Sequence, residues 1–89
     1  MSAKNWAVYL LRCSDNSLYC GVSNNIEKRV IDHNSGLGAK YTRSRRPTVL
    51  VGTSRPMTKV KAYQLESRIK KLPAKLKTAE LEKWSAKIA

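Results

Sequence analysis

Residues 19–33 read Tyr-Cys-Gly-Val-Ser-Asn-Asn-Ile-Glu-Lys-Arg-Val-Ile-Asp-His. They have the form of a strand end, a capped turn and the opening of a helix. Asn24, with Glu27 three residues later, fits a capping box, which satisfies otherwise unpaired amide donors. The helix is expected over about residues 24–35, with Gly36 as its C-cap. On it Ile26, Arg29, Val30 and His33 recur at i, i+3, i+4 and i+7 and share one face. An arginine and a histidine thus stand in a stripe that should be apolar. A guanidinium turned toward a core is costly unless it meets an anion or a hydrogen-bonding partner. Either Arg29 is tied to a carboxylate or to carbonyls, with His33 at the rim, or the two line a positive pocket for a phosphate.

Upstream, Trp6 to Cys13 (WAVYLLRC) is rich in β-favouring apolar residues and reads as a strand. Ser14 to Ser17 is turn chemistry, and Leu18 to Ser23 is a second strand, so the chain opens with a β-hairpin. If the loop runs from Cys13 to Ser17, Arg12 opposes Leu18, Leu11 opposes Tyr19 and Tyr9 opposes Gly21. Tyr9 and Tyr19 then share a face as diagonal neighbours; a one-residue slip separates them. Gly21 marks a bulge or a place where a ligand, such as a phosphate, approaches the backbone closely.

Downstream lies Ser-Gly-Leu-Gly-Ala-Lys-Tyr-Thr-Arg-Ser-Arg-Arg-Pro, residues 35–47. Lys40, Arg43, Arg45 and Arg46 surround Tyr41 there, a mix suited to phosphate contacts and base stacking. It equally suits a solvated loop anchored by its tyrosine. Thr48 to Thr53 is a third strand. Thr58 caps a helix running to Leu72, stopped by Pro73, with Ala62, Leu65, Ile69 and Leu72 as its stripe. Glu66 borders that stripe among Lys59, Lys61, Arg68, Lys70 and Lys71. It is either an ion-pair acceptor or a ligand for a hard divalent cation. A last amphipathic helix is expected over about 74–88, anchored by Leu76, Ala79, Leu81 and Trp84.

The 89 residues suffice for one small domain, taken as 1–89 without an internal boundary. No apolar run approaches 18 residues and no signal-peptide pattern is present, which argues against a membrane span. Cys13 and Cys20 lack metal-like spacing and read as reduced thiols of a cytoplasmic protein. One histidine in the chain argues against a zinc site. Lys and Arg number 18 against 6 Asp and Glu, a net charge of +12. Such an excess repels itself in the folded state and calls for a polyanionic partner, nucleic acid before a membrane surface.

Taken together, Ala7-Val8-Tyr9, Tyr19-Cys20-Gly21, the Arg29-x-x-x-His33 helix and the helical Glu66 resemble the GIY-YIG nuclease superfamily. LLRC, LYCGVSNNIEKR, HNSG-x-GAKYTR-x-RRP and LESRIKKL are similar to its small stand-alone bacterial subfamily, related to the nuclease domain of eukaryotic flap- and junction-cutting enzymes. The likeness spans roughly residues 6–72. It implies an α/β (α+β) domain, a three-stranded antiparallel sheet flanked by helices, and a nuclease using one Mg²⁺ or Mn²⁺ ion. By that resemblance Glu66 is the metal ligand and Arg29 steadies charge on the phosphorus. Tyr9 takes a proton from water, Tyr19 orients water or phosphate, and His33 contacts phosphate or assists proton transfer. Ala7, Val8 and Cys20 depart from the motif's own residues. No asparagine follows Asn34 to fill the late position of some members, a role that falls to another residue such as Lys70. The expected partner is DNA, single-stranded or branched, with RNA not excluded. The other expectation is a nucleic-acid-binding module on the same fold that does not cut without a partner protein.

Overall fold

Alternation along the first strand decides the layering. In β1 (Ala7–Arg12), Val8 and Leu10 point to one side of the sheet and Tyr9 and Leu11 to the other. All four are essentially inaccessible to solvent, so this strand is covered on both faces. The computed structural model describes residues 4–85. β2 (Leu18–Ser23) pairs antiparallel with β1 in one of the two registers that the sequence left open: Arg12 opposes Leu18, Leu11 opposes Tyr19 and Tyr9 opposes Gly21. The tight loop fixes it, with Cys13 N–H donating to the Ser17 carbonyl at 2.9 Å. β3 (Val49–Thr53) lies antiparallel along the other side of β1, giving the order β2-β1-β3.

Among the described residues four helices flank this three-stranded antiparallel sheet. They are α1 (Ile26–Asn34), α2 (Lys40–Arg43), α3 (Lys59–Lys70) and α4 (Ala74–Glu82). On the Val8 side, α3 and α4 bury Ala62, Leu65, Ile69 and Leu81 against Val8, Leu10 and Cys20. α1 and α2 bring His33 and Tyr41 to the opposite side, beside Tyr9 and Tyr19.

Several boundaries differ from expectation for local reasons. The cap of α1 is Asn25, not Asn24; its Oδ1 accepts the Lys28 amide at 3.2 Å. Ser23 Oγ accepts the Asn25 amide at 2.9 Å, which keeps one more residue outside the helix and places Lys28 where a capping box needs Glu27. Gly36 takes a left-handed conformation just after Ser35, the C-cap of α1. The basic loop contains α2, a single turn not foreseen from the sequence. Thr58 caps α3 as expected, accepting the Lys61 amide. That helix closes at Lys70, where Lys77 Nζ donates to the Ile69 and Lys70 carbonyls at 3.0 Å each. α4 ends at Glu82 because the chain is drawn aside: the Arg55 amide donates to the Trp84 carbonyl at 2.7 Å. Residues 86–88 of the expected last helix lie outside the described residues. Leu81 anchors α4, but Leu76 is 46% exposed and Ala79 is also exposed, so neither is the anchor its spacing suggests.

These positions have unequal consequences for stability. Ile69→Ala, which opens a cavity under the sheet, is expected to cost about 2–5 kcal/mol in urea denaturation. Leu76→Ala should stay within about 0.5 kcal/mol of the parent.

Candidate active site

The hairpin register puts Tyr9 across from Gly21, and the Tyr9 ring lies directly over that glycine. A Cβ on Gly21 would collide with the Tyr9 hydroxyl and ring. The close approach expected at Gly21 is therefore made by Tyr9 rather than by a ligand. Held there, the Tyr9 hydroxyl meets His33 Nε2 at 2.8 Å. The other ring nitrogen, Nδ1, lies 2.7 Å from Thr42 Oγ1 on α2, and Thr42 Oγ1 lies 2.9 Å from the Ala39 carbonyl. Tyr9, His33 and Thr42 are buried at 1%, 0% and 0% exposure, so water does not complete this network. Gly38 packs flat against His33, where any Cβ would strike the imidazole and its Cα. Sequence reasoning missed Thr42 and Gly38, because contacts made across a loop, nine and five residues from His33, leave no periodic trace.

Tyr19 joins the group from β2, its ring centroid 5.1 Å from that of His33 and 6.4 Å from that of Tyr9. Arg29 reaches the same place from one turn earlier in α1. Its side chain is 36% exposed and only loosely paired, with Asp32 Oδ2 at 3.7 Å. Burial drives the Tyr9 hydroxyl well above the ordinary tyrosine range, aided by neighbouring Tyr19 and opposed by Arg29. Burial likewise raises Tyr19, against the pull of Lys70 and Arg29. His33 shifts the other way, below its ordinary value, first through burial and then through Arg29, with Asp32 resisting. At neutral pH the pair is consequently a phenol and a neutral imidazole.

Glu66 stands on the border of the α3 stripe beside edge strand β2, its side chain 15% exposed and 3.4 Å from Lys70 Nζ. A cleft of about 330 Å³ opens here, lined by Leu18, Tyr19, Cys20, Tyr41, Lys70 and Lys77. No cluster of three His, Cys, Asp or Glu side chains exists among the described residues. One partly exposed carboxylate suits Mg²⁺ or Mn²⁺, which keeps most of its water and shares substrate phosphate oxygens; it does not suit a caged ion. A larger concavity, about 680 Å³, lies on the other border of α3, with Lys4, Arg55, Lys61, Arg68 and Trp84 in its lining.

The basic loop divides into two kinds of cation. Arg45 pairs with Asp15 at 3.0 Å, donates to the Tyr41 carbonyl and lies 3.9 Å above the Tyr41 ring. Arg46 donates to the carbonyls of Arg43 and Asn34. Both therefore hold the loop together. Among the described residues the side chains of Lys40 and Arg43 have no such partner and are exposed beside the cleft's Tyr41. Tyr41 is 38% exposed, stacks on Tyr19 with centroids 6.1 Å apart, and so extends the aromatic surface outward from the buried pair.

Residues 5–80 match the family described as the GIY-YIG catalytic domain. The chain belongs to the GIY-YIG family. That is a nuclease family, and nucleic acid is the substrate class it implies. A UPF0213 protein of Nitratidesulfovibrio vulgaris is 50% identical over 74 residues, covering 83% of this chain and 67% of that protein. The UPF0213 protein YazA of Bacillus subtilis is 44% identical over 82 residues, covering 92% and 83%. Among solved structures, the solution structure of protein EF2693 from E. faecalis is similar at 37% identity and a TM-score of 0.60. It covers 93% of this chain and 90% of that one. The UPF0213 protein BH0048 from Bacillus halodurans is similar at 38% identity and a TM-score of 0.53, covering 86% and 82%. The matched span includes the hairpin that carries Tyr9, Tyr19 and Gly21.

The chain's single histidine gives one imidazole titration curve by NMR. Its midpoint is expected below 6.5, the ordinary value. The sign for stability follows: as pH falls below 6.5 the unfolded chain takes the proton first. His33 therefore weakens the fold progressively between 6.5 and its lower native value and has no such effect above 6.5. A midpoint at or above 6.5 would show that Asp32 outweighs burial.

Proposed function

We propose that this protein is a divalent-metal-dependent DNA endonuclease that selects by strand state or branching rather than by long sequence. The observation that carries the reading is the buried Tyr9–His33 hydrogen bond, with Arg29 beside it and Glu66 paired to Lys70, which lines the adjoining cleft. Phosphodiester hydrolysis needs a proton removed from water and negative charge offset on the phosphoryl oxygens. Tyr9, a phenol at rest, is a poor base by itself. It becomes effective if it passes its proton to His33 Nε2 as it receives one from the attacking water, which requires bound substrate to bring that water to a hydroxyl that is only 1% exposed at rest. The partly exposed Arg29 guanidinium faces the phosphate and offsets its developing charge. Tyr19 and Tyr41 present aromatic surface to bases that single-stranded or splayed DNA leaves unstacked. Lys40 and Arg43 contact the backbone. Glu66 would hold Mg²⁺ or Mn²⁺, which supplies Lewis-acid stabilisation of the phosphoryl oxygens.

Among the described residues no helix is long and apolar enough to cross a membrane. Both cysteines are free and buried, and burial pushes the Cys20 thiol up to about 12. Inert thiols of this kind fit a reducing compartment, and the cytoplasm is the proposed location.

One observation favours the rival reading of a binding module. Lys70 already neutralises Glu66, and it must swing aside for a cation to bind. End-labelled single-stranded, duplex, flap and junction DNA with Mg²⁺ or Mn²⁺ separates the two. The wild type is expected to cut one of these, Glu66→Ala to bind it without cutting, and Tyr9→Phe to lose about 10²-fold or more in rate. Binding by wild type and Glu66→Ala alike, with cutting by neither, would leave the binding module.

A further inference from the structure

The polarity of the buried chain beyond His33 can be read from its far end. The Ala39 carbonyl is an acceptor only, so across the 2.9 Å contact the Thr42 hydroxyl must be the donor. With its one hydrogen committed, Thr42 Oγ1 is left to accept across the 2.7 Å contact to His33 Nδ1. Nδ1 therefore carries the proton. A neutral imidazole holds one ring proton, so Nε2 is bare and accepts from the Tyr9 hydroxyl at 2.8 Å. We propose that Thr42 is a positioning residue that locks His33 in the Nδ1–H form, leaving Nε2 free to take the Tyr9 proton.

Three features make this assignment specific. Thr42 is fully buried, so no water can substitute for its hydroxyl. Its place is fixed by the α2 turn, in which the Thr42 and Arg43 amides also donate to the Ala39 carbonyl, at 3.1 and 3.3 Å. Gly38 lies against the Nδ1–Cγ edge of the same imidazole, where any Cβ would strike the ring and the His33 Cα, so only glycine leaves room for Nδ1 to reach Thr42. A threonine or serine is needed at this point because the group must accept from Nδ1 and donate to a carbonyl at once. In the proposed reaction the proton on Tyr9 moves to Nε2 as a water proton moves to Tyr9. The imidazole becomes an imidazolium with both nitrogens donating, and Thr42 keeps the same hydrogen bonds before and after. The other neutral form, with the proton on Nε2, would point a donor at Tyr9 and block the transfer.

This inference rests on the nuclease reading for its consequence but not for its geometry, and the test keeps the two apart. Nitrogen-15 NMR of the single histidine at neutral pH, above its titration, distinguishes a protonated from a bare ring nitrogen directly. The wild type is expected in the Nδ1–H form. Thr42→Val, close in shape but without a hydroxyl, should lose it or mix it with the Nε2–H form. Thr42→Ser, which keeps the hydroxyl, should retain it. In the cleavage assay Thr42→Val should lower kcat by about 10²-fold with KM little changed, and Thr42→Ser should restore most of the rate. A wild type in the Nε2–H form overturns the proposal, as does a folded Thr42→Val with an unchanged tautomer or an unchanged rate. If Thr42→Val does not fold, a loss of the Nδ1–H form in Thr42→Ser overturns it equally. Absence of cutting by the wild type would sink the nuclease reading, while the nitrogen spectra still decide the tautomer.

Discussion

The placement of the Tyr9 hydroxyl constrains everything on this side of the sheet. Tyr9 sits in the central strand, 1% exposed, and a phenol so placed must find a partner or cost about 1–3 kcal/mol. His33 supplies that partner only if α1 docks at the correct depth and rotation. His33 in turn has a second nitrogen to satisfy, which Thr42 meets only if the loop folds its α2 turn over the ring. Gly21 and Gly38 make room at the two rings. The result is a polar seam in which every buried side-chain nitrogen and oxygen among the described residues is paired. A seam of this kind selects one arrangement of strand, helix and loop, because shifting any member strands the others.

Charge is distributed with a similar division of labour. A net +12 on 89 residues implies strong self-repulsion, yet much of the positive charge is locally engaged. Asp15, Asp32, Glu66 and Glu80 each face a cation. Arg45, Arg46 and Lys77 bind backbone carbonyls and hold the loop and the end of α3 in place. Surface pairs of this sort contribute little stability individually. Their more useful effect is positional, fixing the basic loop so that Lys40 and Arg43 stand next to the aromatic surface instead of roaming over it.

How much of this was legible depended on the range of the interaction. The hairpin was readable from its turn chemistry, but two registers one residue apart stayed open, and the Cys13–Ser17 loop hydrogen bond is what puts Tyr9 and Tyr19 on one face. The α3 stripe was readable as well, since Ala62, Leu65 and Ile69 recur at helical spacing and are all buried. The odd arginine and histidine in the α1 stripe announced a polar pocket without saying what filled it. Local competition was harder: the cap moved from Asn24 to Asn25 because Ser23 Oγ captured an amide, a choice between adjacent polar residues that propensity barely separates. Leu76 has the spacing of an anchor, but α4 meets the core mainly through Leu81. Thr42 was invisible because nothing in a Lys-Tyr-Thr-Arg string says which side chain turns inward. Gly21 was noticed for the right reason and given the wrong occupant, since the tyrosine that fills the space lies twelve residues away.

The two shifted ionisations belong together. Burial favours the uncharged form of each group, so Tyr9 holds its proton tightly while His33 resists a second one. Taken singly, each shift makes its residue a worse participant in proton transfer. Arg29 sharpens the contrast, since it favours a phenolate at Tyr9 but opposes an imidazolium at His33. Moving a proton from Tyr9 to His33 alone would create opposite charges in a buried site, and neither shift favours that. In the proposed reaction a concerted relay avoids the phenolate: the proton that reaches His33 is replaced on Tyr9 by one from water, and only the imidazole is left charged. On that proposal the charge would appear as negative charge builds on the phosphate, with Asp32 nearby to ease it. The same burial that makes each group a weak acid or base alone therefore favours using them as a coupled pair.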